Sequence, residues 1–267
     1  MKNYNDIVCN GGLGIIQNVL INLFTISILL TRLLENTLEM PTFCLSSTSE
    51  VAQFESMLNK YVENQTQNPL NHISLVKVFE QLQSRKDGGR IFTALLDVQI
   101  NFSLLYLDLI KVGRTWNSFF SKGKLEGGSI LDSPVKFFGK MDIHRFSTSY
   151  ILRYRALWDK VMGLLVMAII PKKYDHFVTS KSRKKEFKKI FLESNILDEK
   201  TLKTIEDLLT QFDNTFRTAE AHGTGRLRKY SLTMESLDKN PQIELIKFWN
   251  SINGVIAGLP KMFEYPK

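Results

Sequence analysis

Residues 142–170 read DIHRFSTSYILRYRALWDKVMGLLVMAII, and the spacing of their apolar positions decides the fold class. Phe146, Tyr150, Tyr154, Leu157, Val161, Leu164 and Ala168 recur at steps of three and four. That period lays them along one stripe of an α-helix, whereas a half-buried strand would alternate at every second residue. Asp142 is suited to cap the start of this helix. Pro171, which disfavours helical backbone in the residue before it, ends it. A helix with so continuous a stripe must bury it against other helices, so the same period should recur elsewhere.

It recurs nearly throughout. Upstream, GIIQNVLINLFTISILL (14–30) belongs to a predicted helix over 13–39 that stops before Pro41. Ser47 and Glu50 have capping-box spacing and open a predicted helix over 48–63. A polar turn region (63–72) leads to a short helix over 73–84. A long amphipathic helix over 90–121 then carries Leu95, Val98, Phe102, Leu105 and Ile110 on its stripe. Glycines and a proline punctuate KGKLEGGSILDSP (122–134). The expected organisation is a helical N-terminal region (1–121), a linker (122–138) and a second helical bundle (139–267). Downstream comes a basic helix over 180–193. Asp198 is placed as an N-cap, with Glu199 behind it, for a helix through Leu202, Ile205, Leu208, Leu209, Phe212 and Phe216. Gly223 and Gly225 suit its end. Asn240 and Pro241 form the N-cap and first residue of a last helix, which Gly258 and Pro260 are expected to close. No clean period-2 run of useful length is found. The fold class is therefore all-α, an up-and-down bundle of long helices.

The chain has 267 residues, of which 43% are hydrophobic, enough to bury a sizeable core. Its formal charge is +8 and its pI about 9.3, a balance that favours polyanionic partners such as RNA. The two cysteines, Cys9 and Cys44, make no CxxC and have no close histidine. That argues against a zinc site and excludes a disulfide framework, and it fits a reducing, cytoplasmic compartment. Gln17, Asn18 and Asn22 interrupt the stretch 14–30, and MGLLVMAII (162–170) is far too short to span a bilayer, so no membrane segment is expected. There is no P-loop, GxGxxG, HExxH or GxSxG motif, and no metal or cofactor is expected.

The densest polar signature is FRTAEAHGTGRLRKY, residues 216–230, which contains one of only four histidines. Cleaving a phosphodiester without a metal requires a group that moves protons near neutral pH and a fixed positive charge for the phosphorane. His222 supplies the first and Arg217 the second. Thr218 lies one turn before His222, where it can orient the ring or bond a phosphate oxygen. Small Ala219 and Ala221 would let a second helix approach, and Arg226, Arg228 and Lys229 would add phosphate contacts. The competing reading is a basic helix end that merely complements the helix dipole. Moreover, five residues turn about 140° around an ideal helix, so Arg217 and His222 diverge on a single helix.

Around this motif, Glu220 and His144 are candidate helpers. Arg145, Ser149 and Arg153 sit four apart as a polar stripe that either steers phosphate or is a solvated face. In SKSRKKEFKKI (180–190), Lys181, Arg183, Lys184, Lys185, Lys188 and Lys189 form a candidate RNA-tracking surface or, again, a solvated face. Arg155 and Asp159 read as a structural i,i+4 pair, Trp158 as core, and His72 and His176 as exposed loop residues.

The spacing of Arg217 and His222 resembles the RxxxxH signature of the HEPN superfamily of all-helical proteins. The motif's place, late in a long helix near the C-terminus of a bundle, is similar to that family's. So are the stretches IHRFSTSYILRYRALWDKVMG (143–163), SKSRKKEFKKIF (180–191) and FRTAEAHGTGRLRKYS (216–231). The resemblance covers about residues 139–267. It implies a metal-independent endoribonuclease that acts as a homodimer, with the arginine and histidine of both subunits facing one cleft. Such a cleft would also accommodate the 140° divergence. Active members often carry Asn, Asp or His after the arginine, where this chain has Thr218, and other members bind RNA, nucleotide or protein without cutting. By analogy, the role would be that of a toxin or a phage-defence protein, with an antitoxin or regulatory protein as a further partner.

Overall fold

A computed structural model of the chain describes residues 45–68, 70, 73–119, 134–218 and 240–263. The expected helix over 13–39 and both cysteines lie outside the described residues. Helix α1 (Thr48–Thr66) begins with the expected reciprocal cap. The Glu50 amide donates to Ser47 Oγ at 3.3 Å, and the Ser47 amide donates to Glu50 Oε2 at 3.2 Å. The Ser46 amide donates to the same carboxylate oxygen at 2.7 Å. This bond, ahead of the others, holds the Glu50 carboxyl below its ordinary range. Gln67, with φ 59°, then turns the chain out of the helix. Helix α2 (Leu75–Gln83) is capped from a distance, its Leu75 amide donating to Glu55 Oε2 of α1 at 3.0 Å.

The two longest helices follow, α3 (Gly88–Phe119) and α4 (Pro134–Ile169). A turn at Pro171–Lys173 leads to α5 (Tyr174–Thr179), α6 (Arg183–Glu193) and α7 (Glu199–Phe212). Asp198 caps α7 as expected, accepting from the Thr201 amide at 2.8 Å. Asn240 Oδ1 accepts from the Gln242 amide at 2.9 Å and opens α8 (Gln242–Phe263). Among the described residues there is no strand, and the class is all-α.

Side-chain contacts give the topology. Ser149 and Arg153 of α4 meet Asp108 of α3, and Lys160 meets Asp97, so α3 and α4 run antiparallel. Tyr150 donates to the Leu245 carbonyl at 3.0 Å and Tyr154 packs on Phe248, so α8 runs parallel to α4. Lys184 meets Thr210 and Lys188 meets Glu206, so α6 and α7 are antiparallel.

Three expectations change. Helix α4 starts at Pro134, so Asp142 lies in its interior and caps nothing. Proline is pre-organised for a first helical turn. The extra turns also bring Gly139 so close to α3 that a Cβ there would sit 2.7 Å from the Phe119 ring. Helix α8 continues through Gly258 and Pro260 to Phe263. Burial of Ile256, Leu259 and Phe263 offsets the lost proline hydrogen bond. Finally, Leu45–Lys267 forms one compact unit whose boundary falls after Cys44 rather than at 122–138. The reason is physical: α3 and α4, on either side of that segment, share one hydrophobic core.

The stripe quoted above lies in that core. Tyr150, Tyr154, Leu157, Val161, Leu164 and Ala168 are buried, and Phe146 is half-buried. Helix α3 is long and apolar enough to cross a membrane by length and composition alone, and it packs in the same core. Burial pushes the Tyr150 and Tyr154 phenols well above their ordinary value of 10. A raised phenol means that the unfolded chain gives up its proton first. The contribution is therefore intact below about pH 10 and is lost as pH rises above it. Urea midpoints measured between pH 9 and 11 should fall, and the fall should be shallower in Tyr150→Phe.

Candidate functional site

Helix α7 does not end at Phe212 but widens into a single π-type turn, Asp213–Arg217, closed by the Thr218 amide donating to the Asp213 carbonyl. Asn214 and Thr215 are poor helix formers, and such turns often mark functional sites. Packing fixes this one. Phe212 and Phe216 are both buried, and their rings lie 5.0 and 5.6 Å from Phe248. The same turn sets Asp213 and Arg217 side by side, with Asp213 Oδ1 3.7 Å from Arg217 Nη1.

Asp213 also faces α4, where its Oδ1 lies 3.5 Å from Arg155 Nε. Arg155 in turn pairs with Asp159. The result is a line of alternating charge, Asp159–Arg155–Asp213–Arg217, that joins α4 to the wide turn. It runs outward. The Arg155 side chain is 11% exposed, Asp213 21% and Arg217 52%. Only the last guanidinium presents an open edge to a ligand, and a guanidinium edge suits the paired oxygens of a phosphate. Asp213 Oδ1 and Arg155 Nε are buried and make no hydrogen bond within 3.5 Å, so both contacts are ionic and loose. Thr218 is exposed beside Arg217. His222, Glu220, Arg226, Arg228 and Lys229, with Ala219, Ala221, Gly223 and Gly225, lie outside the described residues.

The polar stripe of α4 is engaged elsewhere. Ser149 Oγ donates to Asp108 Oδ2 at 2.7 Å, and Arg153 Nε donates to the same oxygen at 3.1 Å. Both residues thus fasten α4 to α3. Two residues on, and about 200° round the helix, it is Arg155 that reaches Asp213. Arg145 is exposed with its guanidinium 4.6 Å from the Phe146 ring centre. His144 is half-buried, its Nδ1 without a hydrogen-bond partner. Both lie about 15 Å back along α4 from Arg155.

The basic run divides. Lys184 donates to Thr210 Oγ1 at 2.8 Å and Lys188 to Glu206 Oε2 at 2.7 Å, so these two lysines join α6 to α7. The Lys188 bond holds the Glu206 carboxyl below its ordinary range, and Glu206 raises the Lys188 ammonium. Lys181, Arg183, Lys185 and Lys189 are exposed. His176 is also exposed but lies on α5, with Nε2 3.0 Å from Glu186 Oε1. His72 is outside the described residues.

Two concavities flank this region. A cavity of about 310 Å³ between α3, α4, α5 and the start of α6 is lined by Asp97, Asp159, Lys160, Tyr174 and Arg183 over small residues such as Ala94 and Gly163. A groove of about 560 Å³ between α7 and α8 presents Gln211, Thr215, Lys247 and Ser251 over Phe216 and Phe248. Among the described residues no three His, Cys, Asp or Glu side chains converge as metal ligands do.

Reading the sequence overlooked Asp213 and the outward role of Arg155. The i,i+4 spacing of Asp213 and Arg217 was there to be read. The contact between Arg155 and Asp213 joins distant parts of the chain and has no local signal. Comparison of the chain with protein-family models, with curated proteins and with solved structures gives no match.

Proposed function

We propose that this protein is a metal-independent endoribonuclease of the HEPN type. The observation that carries the reading is the Arg217–His222 pair, spaced as RxxxxH late in a long helix near the C-terminal end of an all-α chain. The half-exposed Arg217 at the end of a wide helical turn supports it. In this mechanism the 2′-hydroxyl of single-stranded or loop RNA attacks the adjacent phosphate in line. His222 moves the proton and Arg217 stabilises the charge that develops on the phosphoryl oxygens. The leaving 5′-oxygen is protonated, and the product carries a 2′,3′-cyclic phosphate. Two copies of the chain would supply the two faces of one cleft on a symmetry axis. The exposed Lys181, Arg183, Lys185 and Lys189 would track the RNA backbone. By analogy with the superfamily, the biological setting would be growth arrest or phage defence, held in check by an antitoxin or regulatory partner in the cytoplasm.

The test is cleavage of a single-stranded RNA by the full chain in excess chelator, with the product ends analysed. Cleavage with 2′,3′-cyclic phosphate ends, and none of a 2′-deoxy substrate, is the expected result. Binding without turnover at any enzyme concentration would replace this reading with that of a non-catalytic RNA-, nucleotide- or protein-binding module. Thr218, standing where active relatives often carry Asn, Asp or His, favours that alternative.

A further inference from the structure

The line of charge behind Arg217 assigns a role to two residues outside the motif. We infer that Asp213 is a positioning residue for Arg217 and that Arg155 keeps Asp213 from capturing it. The inference rests on the ribonuclease reading above and concerns how that site is held ready.

Three observations carry it. Asp213 Oδ1 lies between two guanidinium groups, 3.5 Å from Arg155 Nε and 3.7 Å from Arg217 Nη1. This oxygen is buried and makes no hydrogen bond, so its charge is answered only by the two arginines. And the π-type turn puts Asp213 and Arg217 on one face while leaving Arg217 half-exposed.

A long arginine side chain at a surface samples many rotamers, and ordering it on a phosphate costs conformational entropy at each turnover. A fixed carboxylate beside it removes part of that cost in advance. An unshared carboxylate, however, would compete with the phosphate for the same donors and repel it. Arg155 prevents this by dividing its own charge between Asp159 and Asp213. Arg217 is then oriented by Asp213 without being neutralised by it.

The two residues should therefore fail in different ways. Asp213→Asn keeps the shape but loses the charge. The variant should fold, because Arg155 retains Asp159. It should bind a non-cleavable 2′-O-methyl RNA at least as tightly as the wild type, since a nearby negative charge is gone, while kcat falls by about tenfold or more as orientation is lost. Asp213→Glu should restore part of kcat. Arg155→Met frees Asp213 to grip Arg217, so RNA binding should weaken several-fold and become less salt-dependent. In an Arg217→Ala background, Asp213→Asn should have no further effect on kcat. Thermal melts of each variant separate these effects from loss of fold.

Wild-type kcat in Asp213→Asn, with Arg217→Ala inactive, would overturn the positioning role and leave the ribonuclease reading standing. An equal further loss in the Arg217→Ala background would overturn it as well, since Asp213 would then act elsewhere. Unchanged cleavage in Arg217→Ala itself would remove the ribonuclease site and this role with it.

Discussion

His222→Ala is expected to slow RNA cleavage by about 10²- to 10⁴-fold, the range over which a positioned general acid or base contributes. Chelator should leave this difference unchanged, because the proton transfer is assigned to an imidazole. Arg217→Ala should cost about 10²- to 10³-fold, as removal of a donor aimed at developing negative charge does. Arg217→Lys should recover little, since an ammonium keeps the charge but not the planar fork. Residues that act on one transition state are strongly non-additive, so the double variant should be only slightly slower than His222→Ala alone. Single-turnover kinetics on a defined RNA, with enzyme in excess, reads all four variants. Cleavage at the wild-type rate by both single variants would place the chemistry elsewhere in the chain.

Tyr154→Ala should be the most damaging single change to stability, costing about 3–5 kcal/mol, the range for deleting a buried aromatic side chain. The Tyr154 ring is fully buried on α4. Its centre lies 4.2 Å from that of Phe212 on α7 and 5.8 Å from that of Phe248 on α8. One side chain thus holds three helices. For a chain of this size the loss corresponds to roughly 6–20 °C in Tm. Tyr154→Phe keeps every ring contact and should stay within about 1 kcal/mol of the wild type. The alanine variant should also lose RNA cleavage below its melting temperature, because α7 carries the wide turn and Arg217. A thermal melt with a parallel activity assay checks both, and a Tm within a few degrees of the wild type would show that this ring is not the junction described.

How much of this could be read beforehand depended on the range of the interaction. Ser47 with Glu50, Asp198 with Thr201, and Asn240 with Gln242 are bonds between near neighbours, and their spacing announced the helix starts. The buried stripe of α4 announced itself by period. The true start of α4 did not, because Pro134 and the close approach of Gly139 to Phe119 matter only once α3 lies alongside. Lys184 and Lys188 had the look of a solvated basic face, and only the antiparallel pairing of α6 with α7 brings Thr210 and Glu206 within reach. Arg153 and Arg155 were two basic residues on one helix. Asp108 claims the first and Asp213 the second, and neither acid is near in sequence. The candidate arginine and histidine were legible as residue types, whereas the acid that holds the arginine emerged from the fold.

The wide turn at Asp213–Arg217 makes the region asymmetric toward mutation. Exchanging one side chain there leaves every later residue on its own face. Dropping one residue lets the backbone relax into an ordinary α-helix and turns everything downstream by about 100°. Phe216 would swing out of its pocket, Arg217 would leave Asp213, and the segment that begins at Thr218 would depart in a new direction. Descendants of this chain can therefore vary in letters between 213 and 217 far more freely than in length, and a one-residue gap there would mark a copy that has kept its bundle and abandoned its chemistry.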